Sequence, residues 1–246
     1  MKLRVLTILS ILVLISSSLV VSAVRVSNQD SKDISSEKSF GGYTLFAKPE
    51  YSKYTYLINN QCEIVHKWKS EYSQALAAYL LEDGCLIRTC GTGIDSRSIL
   101  GGRSGRVEMF DWDGNLIWEY EVDNKTHCMH HDIEVLPNGN VLMIIWKLVA
   151  KEDAINLGVD LETLSRPNFY STHLIEVEPT FPKGGKIVWQ WHPLDHIIQD
   201  YDSTKANYGI VENHPELLDI NYRDNHGYGG GADILHINTI DYNKDF

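Results

Sequence analysis

The sequence predicts an all-β protein, specifically a β-propeller of four-stranded blades with short helical insertions. Short strands rich in β-branched and aromatic residues occur in hairpins, and three of the hairpins have Trp or Tyr near the end of the second strand. Matched turn glycines, Gly84 and Gly139, lie about 55 residues apart. A repeat of about 50 residues made of two hairpins is typical of a propeller blade. A β-sandwich of unrelated hairpins is the alternative.

The first 23 residues predict a signal peptide. A basic start, Met1–Arg4, precedes an apolar stretch at Val5–Ile15, and Val21–Ala23 offers small residues for cleavage. An uncleaved membrane anchor is the alternative, since the apolar region is nearly long enough to span a bilayer. Either way we expect an exported protein, periplasmic, cell-surface or extracellular. Residues 24–40 are predicted to be a polar linker, and residues 41–246 a partial β-propeller.

Export would allow the cysteines to form disulfides, and the net charge limits the partners that the protein can bind. Cys62, Cys85, Cys90 and Cys128 could form up to two disulfides outside the cytoplasm. The formal net charge of −11 argues against nucleic acid as a partner, because phosphate binding needs a basic face. The sequence leaves the oligomeric state open.

Five hairpins are predicted in the propeller region, and neighbours along the chain are grouped into blades. The first grouping joins Thr55–Trp68 to Ala75–Thr89, the second joins Val107–Tyr120 to Asp132–Trp146, and His173–Trp191 opens the third unit. Tryptophans and tyrosines in these hairpins are interpreted as core packing between blades.

Two insertions separate these units. Lys151–Ser165 places Ala154, Leu157 and Leu161 on one helical face, and a second insertion contains a helix-like stretch at Asp195–Asp200. From Gly41 to Phe246 there are three units and the start of a fourth, whereas propellers have four to eight blades. We therefore expect the chain to be the N-terminal part of a longer propeller.

Met129–Ile144 contains the first candidate site, with His130, His131 and Asp132 at the mouth of a hairpin. Strand alternation puts His131 on the apolar face with Ile133 and puts His130 on the other face with Asp132. Only one imidazole then enters a common site, unless both histidines lie in the loop. His131 is the first candidate, with Asp132 or Glu134 able to orient an imidazole.

A metal site is the alternative interpretation of this segment. His127, Cys128, His130, His131 and Asp132 are all ligand types. No two of them form a spaced pair on one face of a helix, so we predict no metal here.

Two further histidine motifs follow. His196 lies in the stretch Trp191–Asp200, where a contact to substrate and simple capping by Asp195 are both possible. In Asp233–Tyr242, alternation puts His236 and Asn238 on one face, which suits a polar pocket.

These motifs together resemble the arylsulfotransferase family, over nearly the whole chain from about Gly41 onward. The segments that carry the resemblance are VEMFDWDGNLIWEY (Val107–Tyr120), HHDIEVLPNGNVLMI (His130–Ile144), WHPLDHIIQDYDSTKANYG (Trp191–Gly209), HPELLDINY (His214–Tyr222) and LHINTIDYN (Leu235–Asn243). The resemblance implies an exported six-bladed propeller that transfers sulfuryl groups between phenols without a nucleotide donor.

The resemblance also implies a transiently sulfated histidine, assisted by further histidines and one arginine. It assigns catalytic roles to His131 and His236, and we add His130, His196 and Asn238 as candidate substrate-binding residues. The family's arginine and sulfate-accepting histidine are expected beyond Phe246. The partners implied are a phenolic sulfate and a phenol, with no cofactor.

Histidine and arginine suit this chemistry. A departing sulfuryl group needs donors around its oxygens and a proton for the phenolate, as phosphoryl transfer does. Histidine can be a nucleophile in one step and an acid in another.

A non-catalytic exported propeller that binds or scaffolds is the second hypothesis. A quinone- or metal-dependent propeller oxidoreductase is the third, but no matching cofactor motif is present.

Overall fold

A computed structural model describes residues 40–48, 52–92, 101–164, 168–222 and 233–245. The predicted signal peptide and nearly all of the predicted linker lie outside the described residues. The described part of the chain is all-β, as predicted, with one short α-helix. The strands are β1 (Tyr43–Phe46), β2 (Tyr54–Asn59), β3 (Ile64–Lys69), β4 (Gln74–Leu80), β5 (Leu86–Gly91), β6 (Gly105–Phe110), β7 (Leu116–Glu121), β8 (His127–Val135), β9 (Val141–Val149), β10 (Phe169–Pro179), β11 (Gly185–Trp191), β12 (Ile197–Ile198), β13 (Leu218–Asp219) and β14 (Asp233–Ile234).

Most strands belong to curled antiparallel sheets. The first sheet has the order β1-β2-β3, the second β4-β5-β6-β7 and the third β11-β10-β9-β8. Strand β14 pairs parallel to β10, and β12 forms a small parallel pair with β13.

The predicted hairpins form because their turns carry local signals. Gly84 and Gly139 have φ of 86° and 84°, a region that favours glycine. Each closes its turn by donating its N–H to a carbonyl three residues earlier, Leu81 O at 3.0 Å and Leu136 O at 2.8 Å. The predicted turns are therefore confirmed.

The grouping of hairpins into four-stranded units is wrong by one hairpin. The second sheet joins Ala75–Thr89 to Val107–Tyr120, and the third joins Asp132–Trp146 to His173–Trp191. Hairpins separated by longer connections pair within one sheet, through β5–β6 and β9–β10. The shorter connections, β3–β4 and β7–β8, run between sheets.

The main core lies between the second and third sheets. Large side chains from both are completely buried there, among them Ile87, Trp118, Ile133 and Met143. Trp118 also donates from Nε1 to the carbonyl of Gly184 at 2.8 Å. Packing of this kind fixes the positions of the strands that carry the histidines.

The insertion after β9 contains helix α1 (Lys151–Asn156) and a 3₁₀ turn at Leu161–Thr163. Ala154 is completely buried, and Leu157 and Leu161 pack on the same cluster, as expected of apolar residues that face the core. They do not share one helical face, because the helix ends at Asn156 and Leu161 lies in the separate 3₁₀ turn. The helix predicted at Asp195–Asp200 is wrong: a 3₁₀ turn at Pro193–His196 is followed directly by β12. Among the described residues, no helix has the length and apolar character that a membrane span requires.

All four cysteines lie within the described residues, and none of them forms a disulfide in this structure. Cys90 is completely buried, and burial raises the pKa of its thiol to about 12. Its Sγ lies 3.1 Å from Glu108 and 3.3 Å from Arg88, inside a buried polar cluster of the second sheet.

Candidate functional site

A backbone irregularity in β8 builds the first part of the site. Met129 pairs with Ile145 and Ile133 pairs with Met143, so residues 130–132 lie opposite Ile144 alone. His131 adopts φ of 54°, which is uncommon for a residue other than glycine. The bulge breaks strand alternation, so the predicted separation of His130 and His131 onto opposite faces is wrong.

Both imidazoles instead meet, with their Nδ1 atoms 2.8 Å apart. His130 is completely buried, and its ring stacks on Trp146 with centroids 3.9 Å apart. Its Nε2 lies 3.4 Å from Thr172 Oγ1. Burial, aided by the nearby imidazoles, lowers the pKa of His130 to about 2, so this ring is neutral at physiological pH. His130 therefore positions His131 rather than carrying charge.

His131 is held against a glycine. Its N–H donates to Gly102 O at 2.7 Å, and a Cβ on Gly102 would lie only 2.1–2.5 Å from three atoms of the imidazole. Gly102 also has φ of 84°. The ring thus occupies space that any other residue at position 102 would fill. Burial and the neighbouring His236 lower the pKa of His131, while Asp132 opposes that shift.

His236 comes from the segment after β14 and faces His131, with ring centroids 4.8 Å apart and planes at 82°. Its Nδ1 lies 2.5 Å from Asp233 Oδ2. The same carboxylate oxygen accepts a hydrogen bond from Trp146 Nε1 at 3.2 Å. Burial raises the pKa of Asp233, and the hydrogen bond with His236 opposes the shift.

Asp132 does not orient an imidazole, contrary to expectation. Its Oδ1 accepts a 2.6 Å hydrogen bond from the Tyr79 hydroxyl, and its Oδ2 accepts one of 2.8 Å from Thr239. Asp132 therefore ties the segment that carries His236 to β8 and β4. The carboxylate bonded to an imidazole in this site is Asp233.

A cavity of about 1000 Å³ adjoins the two facing histidines. His131, His236 and Asn238 contribute polar atoms to its wall, and Asp219 and Asp233 add carboxylates. The rest of the lining is largely apolar and comprises Gly101, Gly102, Pro193, Leu194, Ile197, Val211, Leu217, Leu218, Ile220, Tyr222, Ile234 and Leu235. Such a cavity suits an aromatic ligand with one polar group.

The structure thus brings four predicted residues together: His130 behind His131, and His236 with Asn238 at the cavity wall. His196 is placed elsewhere. It is exposed and stacks on Trp191 with centroids 5.5 Å apart, although its neighbours Leu194 and Ile197 line the cavity.

Sequence reasoning missed Gly102, Trp146, Thr172 and Asp233. Only Asp233 carried a local signal, because a carboxylate three residues before a histidine can reach its ring. Within the described residues, no group of three or more His, Cys, Asp or Glu side chains could hold a metal ion.

Comparison with known proteins adds one finding. The family model described as Arylsulfotransferase (ASST) matches residues 26–245, which is most of the chain. A search of the curated proteins returned no match. The family match covers every residue of the site described above. The chain therefore belongs to the arylsulfotransferase family.

Proposed function

We propose that the protein transfers a sulfuryl group from a phenolic sulfate ester to an acceptor phenol, through a sulfated histidine and without a nucleotide donor. Membership of the family supports a sulfotransferase-type enzyme. The observation that carries the proposal is the meeting of the His131 and His236 imidazoles, 4.8 Å apart, at the wall of a largely apolar cavity.

The cavity supports the proposed substrate class. Ligand pockets commonly enclose about 300–1000 Å³ and combine apolar walls with a few placed polar groups. An aryl ring would pack on side chains such as Leu194, Ile197 and Ile220, with its ester oxygen toward the histidines. An apolar wall also excludes water, which otherwise competes with the phenol as acceptor.

His236 is the acid–base residue of the proposal. Because its Nδ1–H donates to Asp233, the neutral ring carries its lone pair on Nε2. Protonated at Nε2, the ring can donate to the departing phenolate; neutral, it can take the proton of the acceptor phenol. Asp233 stabilises the imidazolium form that links the two steps.

His131 and Asn238 supply hydrogen bonds to the sulfuryl oxygens. The lowered pKa of His131 keeps its ring neutral, so its contribution is a hydrogen bond rather than a charge. A positioned donor of this kind is worth about 3 kcal/mol in a transition state.

The reaction balances in two steps. In the first, the ester S–O bond breaks, an N–S bond forms to a histidine and the phenolate takes a proton. In the second, the acceptor phenol loses its proton, its oxygen forms the new S–O bond and the N–S bond breaks. We propose that the accepting histidine and the arginine that the family resemblance implies lie in a longer form of this protein, after the motif containing His236.

The test is release of nitrophenol from nitrophenyl sulfate in the presence of an acceptor phenol. The assay uses the protein expressed from the full-length open reading frame. His131→Gln and His236→Gln are expected to lower kcat at least a hundredfold, since each removes a transition-state contact of about 3 kcal/mol. His214→Gln, an exposed histidine, is the matched control. Turnover that is unaffected by the two site variants would exclude this function, and binding of phenols without turnover would favour a non-catalytic module.

We also propose that the protein acts outside the cytoplasm, on the basis of the signal-like N-terminus. N-terminal sequencing of protein recovered from the secreting cell tests this. Cleavage near Ala23 supports export, whereas an intact Met1 in a cytoplasmic fraction contradicts it.

A further inference from the structure

A second polar cluster lies on the opposite face of the third sheet. Lys147 on β9 pairs directly with Ser171 on β10 and with His127 on β8, so the three side chains form a row across the strands. His173 follows Ser171 by two residues and shares its face. Trp146, which stacks on His130, points to the other face, so this cluster lies apart from the His130–His131 pair, although Leu194 lines both cavities.

Two buried polar atoms in this cluster have no hydrogen-bond partner. Ser171 is 2% exposed and His173 is 5% exposed, and neither Ser171 Oγ nor His173 Nδ1 is bonded within the described structure. Buried polar atoms without partners are rare because each costs about 1–3 kcal/mol. Two such atoms on one face indicate that something else satisfies them.

Both residues line a cavity of about 130 Å³, together with Lys147, His192, Leu194 and Asp195. The His192 ring stacks on His173 with centroids 4.7 Å apart and closes one side. Since a water molecule occupies about 30 Å³ in the liquid, the cavity has room for a small group of several heavy atoms.

We propose that Lys147, Ser171 and His173 bind a small inorganic oxyanion such as sulfate. Lys147 provides a positive charge and up to three N–H donors, and the Ser171 hydroxyl provides another. His173 is a neutral ring that donates from Nδ1 in the matching tautomer. The contacts from Ser171 and His173 satisfy the two buried atoms that otherwise have no partner. This site does not depend on the proposed function.

Charge around the cavity is consistent with an anion. Burial is the main cause that lowers the pKa of His173 to about 3, and His192, His127 and Lys147 add to the shift by disfavouring a further positive charge there. Asp195 is the opposing group. Its side chain is exposed, so solvent and salt weaken its repulsion.

Isothermal titration with sodium sulfate, at ionic strength held constant with sodium chloride, tests the site on the whole chain. We expect saturable binding with a dissociation constant on the order of 1 mM. Lys147→Met should weaken it at least about tenfold and Ser171→Ala about two- to tenfold. Asp195→Asn should strengthen it about two- to fivefold. Lys186→Met, which removes the same charge from exposed β11, should leave it unchanged.

The ¹⁵N resonances of the His173 imidazole give a second measurement on the unmodified protein. Sulfate should shift its Nδ1 resonance with the same midpoint as the titration, so the test stands even if a variant fails to fold. His236→Gln should retain the binding, which separates it from sulfate in the larger cavity.

Three results would overturn the proposal. They are the absence of saturable sulfate binding, an equal effect of Lys147→Met and Lys186→Met, and loss of binding in His236→Gln with retention in Lys147→Met. Failure of the nitrophenol assay would contradict only the proposed enzyme function, because no turnover is needed here.

Discussion

Acid should destabilise this fold through its buried histidines. The folded-state pKa is about 2 for His130 and about 3 for His173, against about 6.5 for a histidine in an unfolded chain. Both folded-state values are depressed, so the unfolded chain binds more protons. The free energy of unfolding is therefore not reduced by these two histidines above about pH 6.5, and it falls as the pH drops below that value.

The size of the loss follows from the linkage relation. At pH 5 protonation stabilises the unfolded form of each histidine by about 2 kcal/mol, because pH 5 lies about 1.5 units below the pKa of a histidine in an unfolded chain. The folded forms of His130 and His173 gain almost nothing. Together they lower the free energy of unfolding by about 4 kcal/mol between pH 7 and pH 5, a large part of a typical total.

Urea denaturation at pH 7 and pH 5 measures this loss for each variant. His130→Gln removes one titrating group, so its acid loss should be about 2 kcal/mol smaller than in the unmodified protein. His196→Gln, at an exposed position, is the control and should leave the loss unchanged. Asp233 and Glu134 have raised pKa values and act in the opposite direction, but they are common to all variants. An acid loss in His130→Gln equal to that of the unmodified protein would refute the reasoning.

Further predictions concern the site and the core. Gly102→Ala should lower kcat at least tenfold by displacing the His131 ring, while costing about 1–2 kcal/mol of stability from its positive φ; unchanged kcat would contradict the contact. Asp233→Asn should free the His236 ring and lower kcat about a hundredfold or more, and the pH dependence of kcat should move with it; an unmoved pH profile would argue against the pair. Trp118→Ala should lower the free energy of unfolding by about 3–5 kcal/mol in urea, and a loss below 1 kcal/mol would contradict its core role.

The hairpins were predictable because their signals are local. A positive-φ glycine such as Gly84 or Gly139 and alternating residues on both sides determine each turn and its strands. The pairing of hairpins into sheets was not predictable in the same way. It depends on strand pairing across long connections, such as β5 with β6. Grouping the hairpins by their closeness in sequence therefore gave the wrong sheets.

The same distinction explains the helix that was wrongly predicted after Asp195. Ile197–Ile198 pairs with Leu218–Asp219, about twenty residues further along the chain, and this pairing overrides the local helical pattern. Only a non-local partner reveals such a strand.

At the site, the motifs identified His131, His236 and Asn238 as candidates, and the structure places all of them on one cavity. The contact of His130 with His131 could not be read from alternation, since it depends on a bulge with a positive φ at a histidine. No residue type marks such a bulge in advance.

Asp132 has a consequence for how this site can change over evolutionary time. One carboxylate joins Tyr79, which lies 53 residues before it, and Thr239, which lies 107 residues after it. Loss of Asp132 would leave two hydroxyls and the segment bearing His236 without their common acceptor. Residues at these three positions are therefore expected to covary among related sequences. A relative that keeps the HHD motif but lacks a hydroxyl at either of the other two positions would have to hold the segment that carries its counterpart of His236 in a different way.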